Sequence, residues 1–190
     1  MNILFFDVET TGLDHRVNGI HQLAGIIMID GVIVDKFEYF IRPFAGCEID
    51  SRALEVSNTS YLGLYDYPEE KESFLNFKHK MDDFKAYITP SLNERFFLAG
   101  WRSPEFDNKF LEALFERNDA KDDFKSFFWS NPIDVKVLAT QFLLKERPKM
   151  ASFSLVSVAK HLGVKVNDVL LHTAYYDAYL TRKIYEIVAR

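Results

Sequence analysis

The alternation of hydrophobic and polar positions predicts strands in the first part of the chain. Residues 2–8 are apolar almost throughout, which is typical of a buried central strand. A second strand is predicted over residues 20–29, and Asp30-Gly31 then gives a strong hairpin signal. Residues 32–42 alternate well enough for a third strand, which Pro43 ends. The pattern therefore predicts an antiparallel start to a sheet.

After residue 68 the spacing becomes mostly helical. Residues 46–68 look irregular, with short helical turns. Helices are predicted over residues 69–88, 105–117 and 174–189, from Asp134 to about 144, and from a cap at Ser152 or Ser154 to Gly163. Short strands are predicted at 95–99, ended by Gly100, and within 127–133. This order predicts an α/β fold, with a mixed central sheet of about five strands flanked by helices.

Length and charge narrow the possible classes of protein. A chain of 190 residues with 48% hydrophobic residues is expected to form one domain, residues 1–190. The net charge of −5 argues against broad, charge-driven binding to duplex nucleic acid. The single Cys47, with no leader peptide and no membrane-spanning run, predicts a cytoplasmic protein without a membrane partner.

The first predicted strand ends in two acids, Asp7 and Glu9. Residues two apart in a strand point to the same face, so these carboxylates lie side by side. Like charges repel, and an apolar strand offers little water to relieve the repulsion. A divalent cation between the two side chains would convert this cost into a binding site.

Two further acids begin apolar helical stripes. Asp177 is followed by Leu180, Thr181, Ile184, Ile187 and Val188, and Asp107 is followed by Phe110, Leu111, Leu114 and Phe115. Each acid is therefore predicted on the inward side of its helix, where a carboxylate is costly unless it is paired. A helix-terminal acid favoured by the helix dipole is the alternative interpretation of either residue.

His172 precedes Asp177 by five residues, so the two would not share a face of one helix. With Thr173 as the N-cap, His172 is predicted in the loop just before the last helix. It could then lean over the acidic site without being a metal ligand.

These residues resemble the motifs of the DEDDh 3′→5′ exonucleases, the proofreading-exonuclease relatives within the ribonuclease H-like superfamily. Asp7–Leu13 (Asp-Val-Glu-Thr-Thr-Gly-Leu) is similar to their first motif, and Phe106-Asp107 to their second. The segment 172–178 has the His-x-Ala-x-x-Asp-Ala pattern of the third motif. The resemblance covers nearly the whole chain and implies a ribonuclease H-like fold.

Two segments depart from the family pattern. The second motif usually has its Asp six residues after a Gly and contains an Asn, whereas Asp107 lies seven residues after Gly100 and no Asn is present. A His-Gly-Ile segment of the family is replaced here by residues 56–59, Val-Ser-Asn-Thr.

The resemblance also implies functions for individual residues. Asp7, Glu9, Asp107 and Asp177 would hold two Mg²⁺ or Mn²⁺ ions, with His172 as general base. The residues expected against the terminal nucleotide are Thr10, Gly12, Leu13 and Phe106. The implied activity removes nucleoside 5′-monophosphates from the 3′ end of single-stranded DNA or RNA, and a polymerase or another replication or repair protein is a possible partner.

The sequence leaves other interpretations open. The chain could be a non-catalytic nucleic-acid-binding domain of the same fold, although all four acids and His172 are present. It could also be an endonuclease or polynucleotidyl transferase on that fold. Trp101 and Arg102 could stack on or clamp a strand, and the basic segment 145–149 could contact phosphate, with ordinary packing and solvation as the alternative.

Overall fold

A five-stranded mixed sheet forms the centre of the computed structural model, which describes residues 1–85 and 94–189. The spatial order is β3-β2-β1-β4-β5; β1 pairs antiparallel with β2 and parallel with β4. The strands are β1 (Asn2–Thr10), β2 (Ile20–Ile29), β3 (Val32–Phe40), β4 (Phe96–Gly100) and β5 (Ile133–Asp134). The predicted mixed α/β sheet is confirmed.

Helices cover both faces of this sheet. They are α1 (Ser51–Val56), α2 (Glu70–Lys85), α3 (Asp107–Arg117), α4 (Lys121–Phe127), α5 (Val135–Phe142), α6 (Leu155–His161) and α7 (Ala174–Val188). One core contains Leu4, Phe6 and Val8 of β1 together with side chains of α2, α3 and α4. On the opposite face, Ile3 and Phe5 contact the layer that contains α7. Because side chains alternate along a strand, the odd-numbered residues of β1 face α7.

Most predicted elements are confirmed, with shifts of a few residues at their ends. The turn at Asp30-Gly31 has φ of 49° and 81°, the positive values of a type I′ hairpin turn. Ser154, rather than Ser152, caps α6 by accepting a hydrogen bond from the Ser157 N–H. The part of the predicted helix 69–88 that lies beyond residue 85 falls outside the described residues.

The final short strand predicted within residues 127–133 is present, but it lies at the end of that range instead of over its apolar residues. Phe127 ends the short helix α4, Phe128 makes only an isolated bridge to Phe96, and β5 begins at Ile133. Both Phe side chains are buried, so the apolar run resembled a strand although it closes a helix. Among the described residues no helix combines the length and the apolar character that crossing a membrane requires. The extent of a single domain over 1–190 stays a prediction.

Candidate active site

Three carboxylates converge where β1 faces α7. Asp7 and Glu9 are odd-numbered residues of β1, and Asp177 lies in the first turn of α7, which packs across β1 and β2. One carboxylate oxygen from each residue lies within 4.8 Å of one from each of the others. The geometry therefore brings the predicted pair on β1 together with the predicted inward acid of the last helix.

Asp107 joins this group from the opposite side of β1. Pairing of β1 with β4 ends at Phe5 and Ala99, while β1 continues to Thr10 and leaves backbone groups open. The Val8 N–H donates to Asp107 Oδ1 at 3.4 Å, and the Asp107 side chain is buried. Asp107 thus lies where β1 and β4 are no longer paired.

The unusual loop before Asp107 is accommodated by two local features. Arg102 has φ of 62°, and residues Ser103–Glu105 form a single 3₁₀ turn. Gly100 allows this close return, because a Cβ there would lie 2.5 Å from the Ser103 Cβ. The spacing from Gly100 to Asp107 is one residue longer than in the family pattern, and the additional residue lies in this loop. The helix α3 begins at Asp107.

Burial raises the pKa of all four acids, and the charges of neighbouring acids raise the pKa of Asp7, Glu9 and Asp107 further. Burial, followed by the charges of Asp107, Asp177 and Glu9, holds the pKa of Asp7 well above its ordinary value. Burial raises the pKa of Glu9 to about 8, with smaller contributions from Asp177 and Asp107. Burial also raises the pKa of Asp107 to about 7 and that of Asp177 to about 6, partly offset at Asp177 by His172. The site therefore holds four buried carboxylates whose charged forms are costly without a counter-charge.

The donor set fits a divalent cation that prefers hard oxygen ligands. Asp177 Oδ1 is buried and has no hydrogen-bond partner among the residues that the structure describes. A buried carboxylate oxygen without a partner is costly, and a bound cation would satisfy it. Carboxylate oxygens suit Mg²⁺ and Mn²⁺. Asp7, Glu9, Asp107 and Asp177 are the residues that could hold such ions.

His172 lies in the loop before α7, as predicted, and its side chain is exposed. Its φ is 60°, a left-handed conformation that residues other than glycine seldom adopt. Its charge and its backbone N–H both lower the pKa of Asp177, which places the residue beside the carboxylates. Thr173 is the N-cap residue, but its hydroxyl donates to the Leu170 carbonyl at 2.8 Å and accepts no hydrogen bond from a backbone N–H of the helix.

The loop after β1 is fixed by hydrogen bonds yet exposes an apolar side chain. Thr10 is buried and its hydroxyl donates to the Gly12 carbonyl at 2.7 Å. A Cβ on Gly12 would lie 2.5 Å from the Asn18 carboxamide, so that position requires glycine. Leu13, which follows directly, is 83% exposed. Phe106 is partly buried, with its ring centroid 4.9 Å from that of Phe110.

A family model described as an exonuclease, RNase T, matches residues 4–185 of the chain. The chain belongs to this exonuclease family. The predicted kinship with the DEDDh-type exonucleases is thereby confirmed, and so is the ribonuclease H-like fold.

Sequence relatives of this chain are much longer proteins. The PolC-type DNA polymerase III of Thermotoga petrophila is 28% identical over 180 residues, which is 94% of this chain and 11% of the relative. The corresponding protein of Staphylococcus aureus is 31% identical over 112 residues, 59% of this chain and 7% of the relative. The chain thus spans about a tenth of the length of the first of these relatives.

Solved structures share the fold of this chain. Exonuclease I of E. coli in complex with a dT13 oligonucleotide superimposes with a TM-score of 0.75 at 17% identity, covering 98% of this chain and 40% of that chain. Exonuclease I from Methylocaldum szegediense gives a TM-score of 0.74 at 16% identity, covering 98% of this chain and 40% of that chain.

One buried polar residue near the carboxylates, Gln22, was not predicted from the sequence. Gln22 pairs with Glu9 in the sheet register and is therefore on the same face. Its Oε1 accepts the Ala174 N–H at 3.1 Å, and its Nε2 donates to Glu38 Oε1 at 2.8 Å. Gln22 thus ties the first residue of α7 to β2. The sequence signal for Gln22 was its polar side chain within β2, a strand composed mostly of apolar residues.

Proposed function

We propose that this chain is a divalent-metal-dependent 3′→5′ exonuclease that releases nucleoside 5′-monophosphates from single-stranded DNA or RNA. The observation that carries the proposal is the approach of Asp7, Glu9 and Asp177 within 4.8 Å of one another, with Asp107 bound to the backbone of the same strand. Membership of an exonuclease family supports hydrolysis of a phosphodiester rather than another use of a cation.

In this proposal Asp7, Glu9, Asp107 and Asp177 would hold two Mg²⁺ or Mn²⁺ ions. Two such ions lower the pKa of a bound water and stabilise the oxygen that leaves. The protein contributes a rigid frame: β1 supplies two carboxylates from one strand, and Gln22 fixes the start of the helix that carries Asp177. Prior positioning of this kind reduces the entropy lost when the substrate binds.

His172 would act as the general base that takes a proton from the attacking water. His172 is exposed and lies in the loop directly before the helix that carries Asp177. A histidine is suited to proton transfer near neutral pH, and such assistance is worth roughly 10²–10⁴-fold in rate. The left-handed backbone at His172 supports this role, because strained conformations often occur at functional positions.

The terminal nucleotide would lie against the loop after β1 and the residue before α3. Leu13 offers an exposed apolar side chain on a backbone that Thr10 and Gly12 hold in place. Phe106 offers the accessible part of a ring on which a base could stack. A single-stranded end fits this arrangement because an unpaired base leaves its face open to stacking.

The partner and cellular setting are also part of the proposal. Because the sequence relatives include PolC-type DNA polymerase III proteins, we propose a polymerase or another replication or repair protein as partner. The cytoplasmic location stays a prediction.

The test is digestion of 5′-labelled single-stranded DNA and RNA with Mg²⁺ or Mn²⁺. The purified chain should shorten the labelled strand stepwise and release nucleoside 5′-monophosphates. Asp7→Asn should abolish cleavage, and His172→Asn should slow it roughly 10²–10⁴-fold while tolerating the left-handed backbone. Glu72→Gln, an exposed acid on α2, is the matched control and should cleave normally.

Two results would reject the proposal. Equal cleavage by the wild-type and Asp7→Asn chains would show that the acids on β1 are not the catalytic site. Cutting of a circular single strand at a rate similar to that of a linear one would instead indicate an endonuclease.

A further inference from the structure

Positive charge is concentrated in one part of this acidic protein. Residues 135–166, which contain α5 and α6, carry one acid, Glu146, and six basic residues: Lys136, Lys145, Arg147, Lys149, Lys160 and Lys165. The net charge of this segment is therefore +5, whereas the net charge of the whole chain is −5. Lys145, Arg147 and Lys149 are exposed. A surface of this sign attracts a polyanion despite the overall charge of the chain.

A row of two rings and a guanidinium connects this basic segment with the end of β4. The Trp101 and Phe153 rings are stacked, with centroids 6.2 Å apart and planes 29° apart. The Arg147 guanidinium lies 5.1 Å from the centroid of the Phe153 ring. The three residues come from distant parts of the sequence, and neither ring is fully buried.

The row begins at the end of the sheet that carries the acids. Trp101 directly follows Gly100, the last residue of β4, and β4 pairs with β1 in parallel. The Arg102 N–H donates to Asp134 Oδ1 at 3.3 Å, and the same oxygen caps α5. The ends of β4 and β5 are therefore joined by a hydrogen bond next to Trp101. This is the end of the parallel strands toward which β1 carries Asp7 and Glu9.

We propose that Trp101, Phe153, Arg147 and Lys149 form a binding track for single-stranded nucleic acid. The track would hold nucleotides on the 5′ side of the terminal one, with bases on the rings and phosphates on the cations. Aromatic stacking and cationic grooves bind single strands with little sequence preference. This inference rests on the proposed function, because the 3′ end of the nucleic acid must reach the carboxylates while the nucleotides before it lie on the track.

The opposite end of β4 offers a matched control. There the Arg95 guanidinium lies 5.1 Å from the centroid of the Trp129 ring, and Trp129 lies 6.2 Å from Phe97 at 33°. This second row has almost the same geometry but lies at the start of β4 instead of at its end. A purely structural effect of losing an arginine over a ring should therefore be similar at both places.

The experiment measures affinity for 5′-fluorescein-labelled dT12 and U12 by anisotropy, with Mg²⁺, in the Asp7→Asn background. Arg147→Gln combined with Lys149→Gln should weaken binding about tenfold and lower the salt dependence by about 0.7 for each lost phosphate contact. Arg95→Gln should bind like its parent. Unequal losses for dT12 and U12, which differ in the sugar and in the thymine methyl group, would show that the track distinguishes the two oligonucleotides, and either pattern supports the track.

Equal affinities in the double variant and in Arg95→Gln would overturn the track. Arg147 and Lys149 are exposed, so the double variant should fold, and its thermal unfolding is compared with that of Arg95→Gln. Trp101→Leu, which keeps an apolar side chain but removes the ring, should also weaken binding. Unchanged binding in that variant would exclude stacking at Trp101.

A small substrate separates this proposal from the proposed function. The p-nitrophenyl ester of thymidine 5′-monophosphate can occupy the terminal site but is too short for the track. In chains that keep Asp7, the combined Arg147→Gln and Lys149→Gln substitutions should lower kcat/KM for dT12 at least fivefold more than for the ester. Failure of the wild-type chain to cleave either substrate would reject the proposed function, while the anisotropy comparison would still decide the track.

Discussion

Individual side chains at the site work against the stability of the fold. Asp7 and Glu9 could be predicted as a pair because a strand places alternate residues on one face, and Asp177 because it begins an apolar helical stripe. Asp107 was likewise predicted on the inward side of its helix, but its contact with the Val8 N–H of β1 could not be predicted. It depends on the left-handed Arg102 and the 3₁₀ turn that follows it, and no periodicity reveals such a loop.

Asp177→Asn should stabilise the metal-free protein. Asp177 has a raised pKa in the folded chain, so its stability contribution falls as pH rises through the ordinary value and up to about 6. At pH 8 the carboxamide removes this cost, and we expect a gain of about 1–2 kcal/mol, or about 3–6 °C in Tm.

Thermal unfolding in EDTA and in Mg²⁺ measures this effect. The wild-type Tm should rise when Mg²⁺ is added, and the Asp177→Asn Tm should rise much less. Glu72→Gln provides the comparison for loss of an exposed acid. A lower Tm for Asp177→Asn than for the wild-type chain in EDTA would contradict the cost assigned to this carboxylate.

Long, strongly periodic elements were predicted with accurate bounds, whereas the short helix α4 was missed. β2 has the predicted bounds, and α7 begins at the predicted residue, because each has a continuous hydrophobic pattern. α4 was missed since its seven residues give less than two full periods of a helix. The Gln22 link from β2 to Ala174 was also missed, because it joins residues far apart in the chain.

The contact between β2 and the end of α1 predicts a pH dependence. His21 is buried and its Nε2 lies 3.1 Å from Ser57 Oγ. Burial lowers the pKa of His21 to about 4, so between about pH 6.5 and 4 the unfolded chain binds the proton more readily. This contribution is present above pH 6.5 and is lost, by at most about 3 kcal/mol, as pH falls to 4.

Urea unfolding from pH 4 to 7 tests this prediction. The free-energy difference between the wild-type chain and His21→Gln should shrink or reverse as pH falls, because glutamine does not titrate. His79→Gln replaces an exposed histidine on α2 and should show no comparable trend. Parallel pH curves for the wild-type chain and His21→Gln would contradict the assignment to His21.

Across the whole molecule, charge and topology separate two surfaces. Carboxylates gather where β1 continues past its pairing with β4, and basic residues gather on the segment that contains α5 and α6. The sequence contains both sets, but their arrangement depends on the strand order. Parallel pairing of β1, β4 and β5 brings Asp7, Trp101 and Asp134 to the same edge of the sheet.

The most direct test of this account is titration calorimetry with Mn²⁺. The wild-type chain should bind two ions, and Glu72→Gln should bind them in the same way. Asp7→Asn should lose this binding, because it removes a carboxylate from the centre of the cluster. Equal Mn²⁺ binding by the wild-type and Asp7→Asn chains would contradict the claim that the four acids form the metal site.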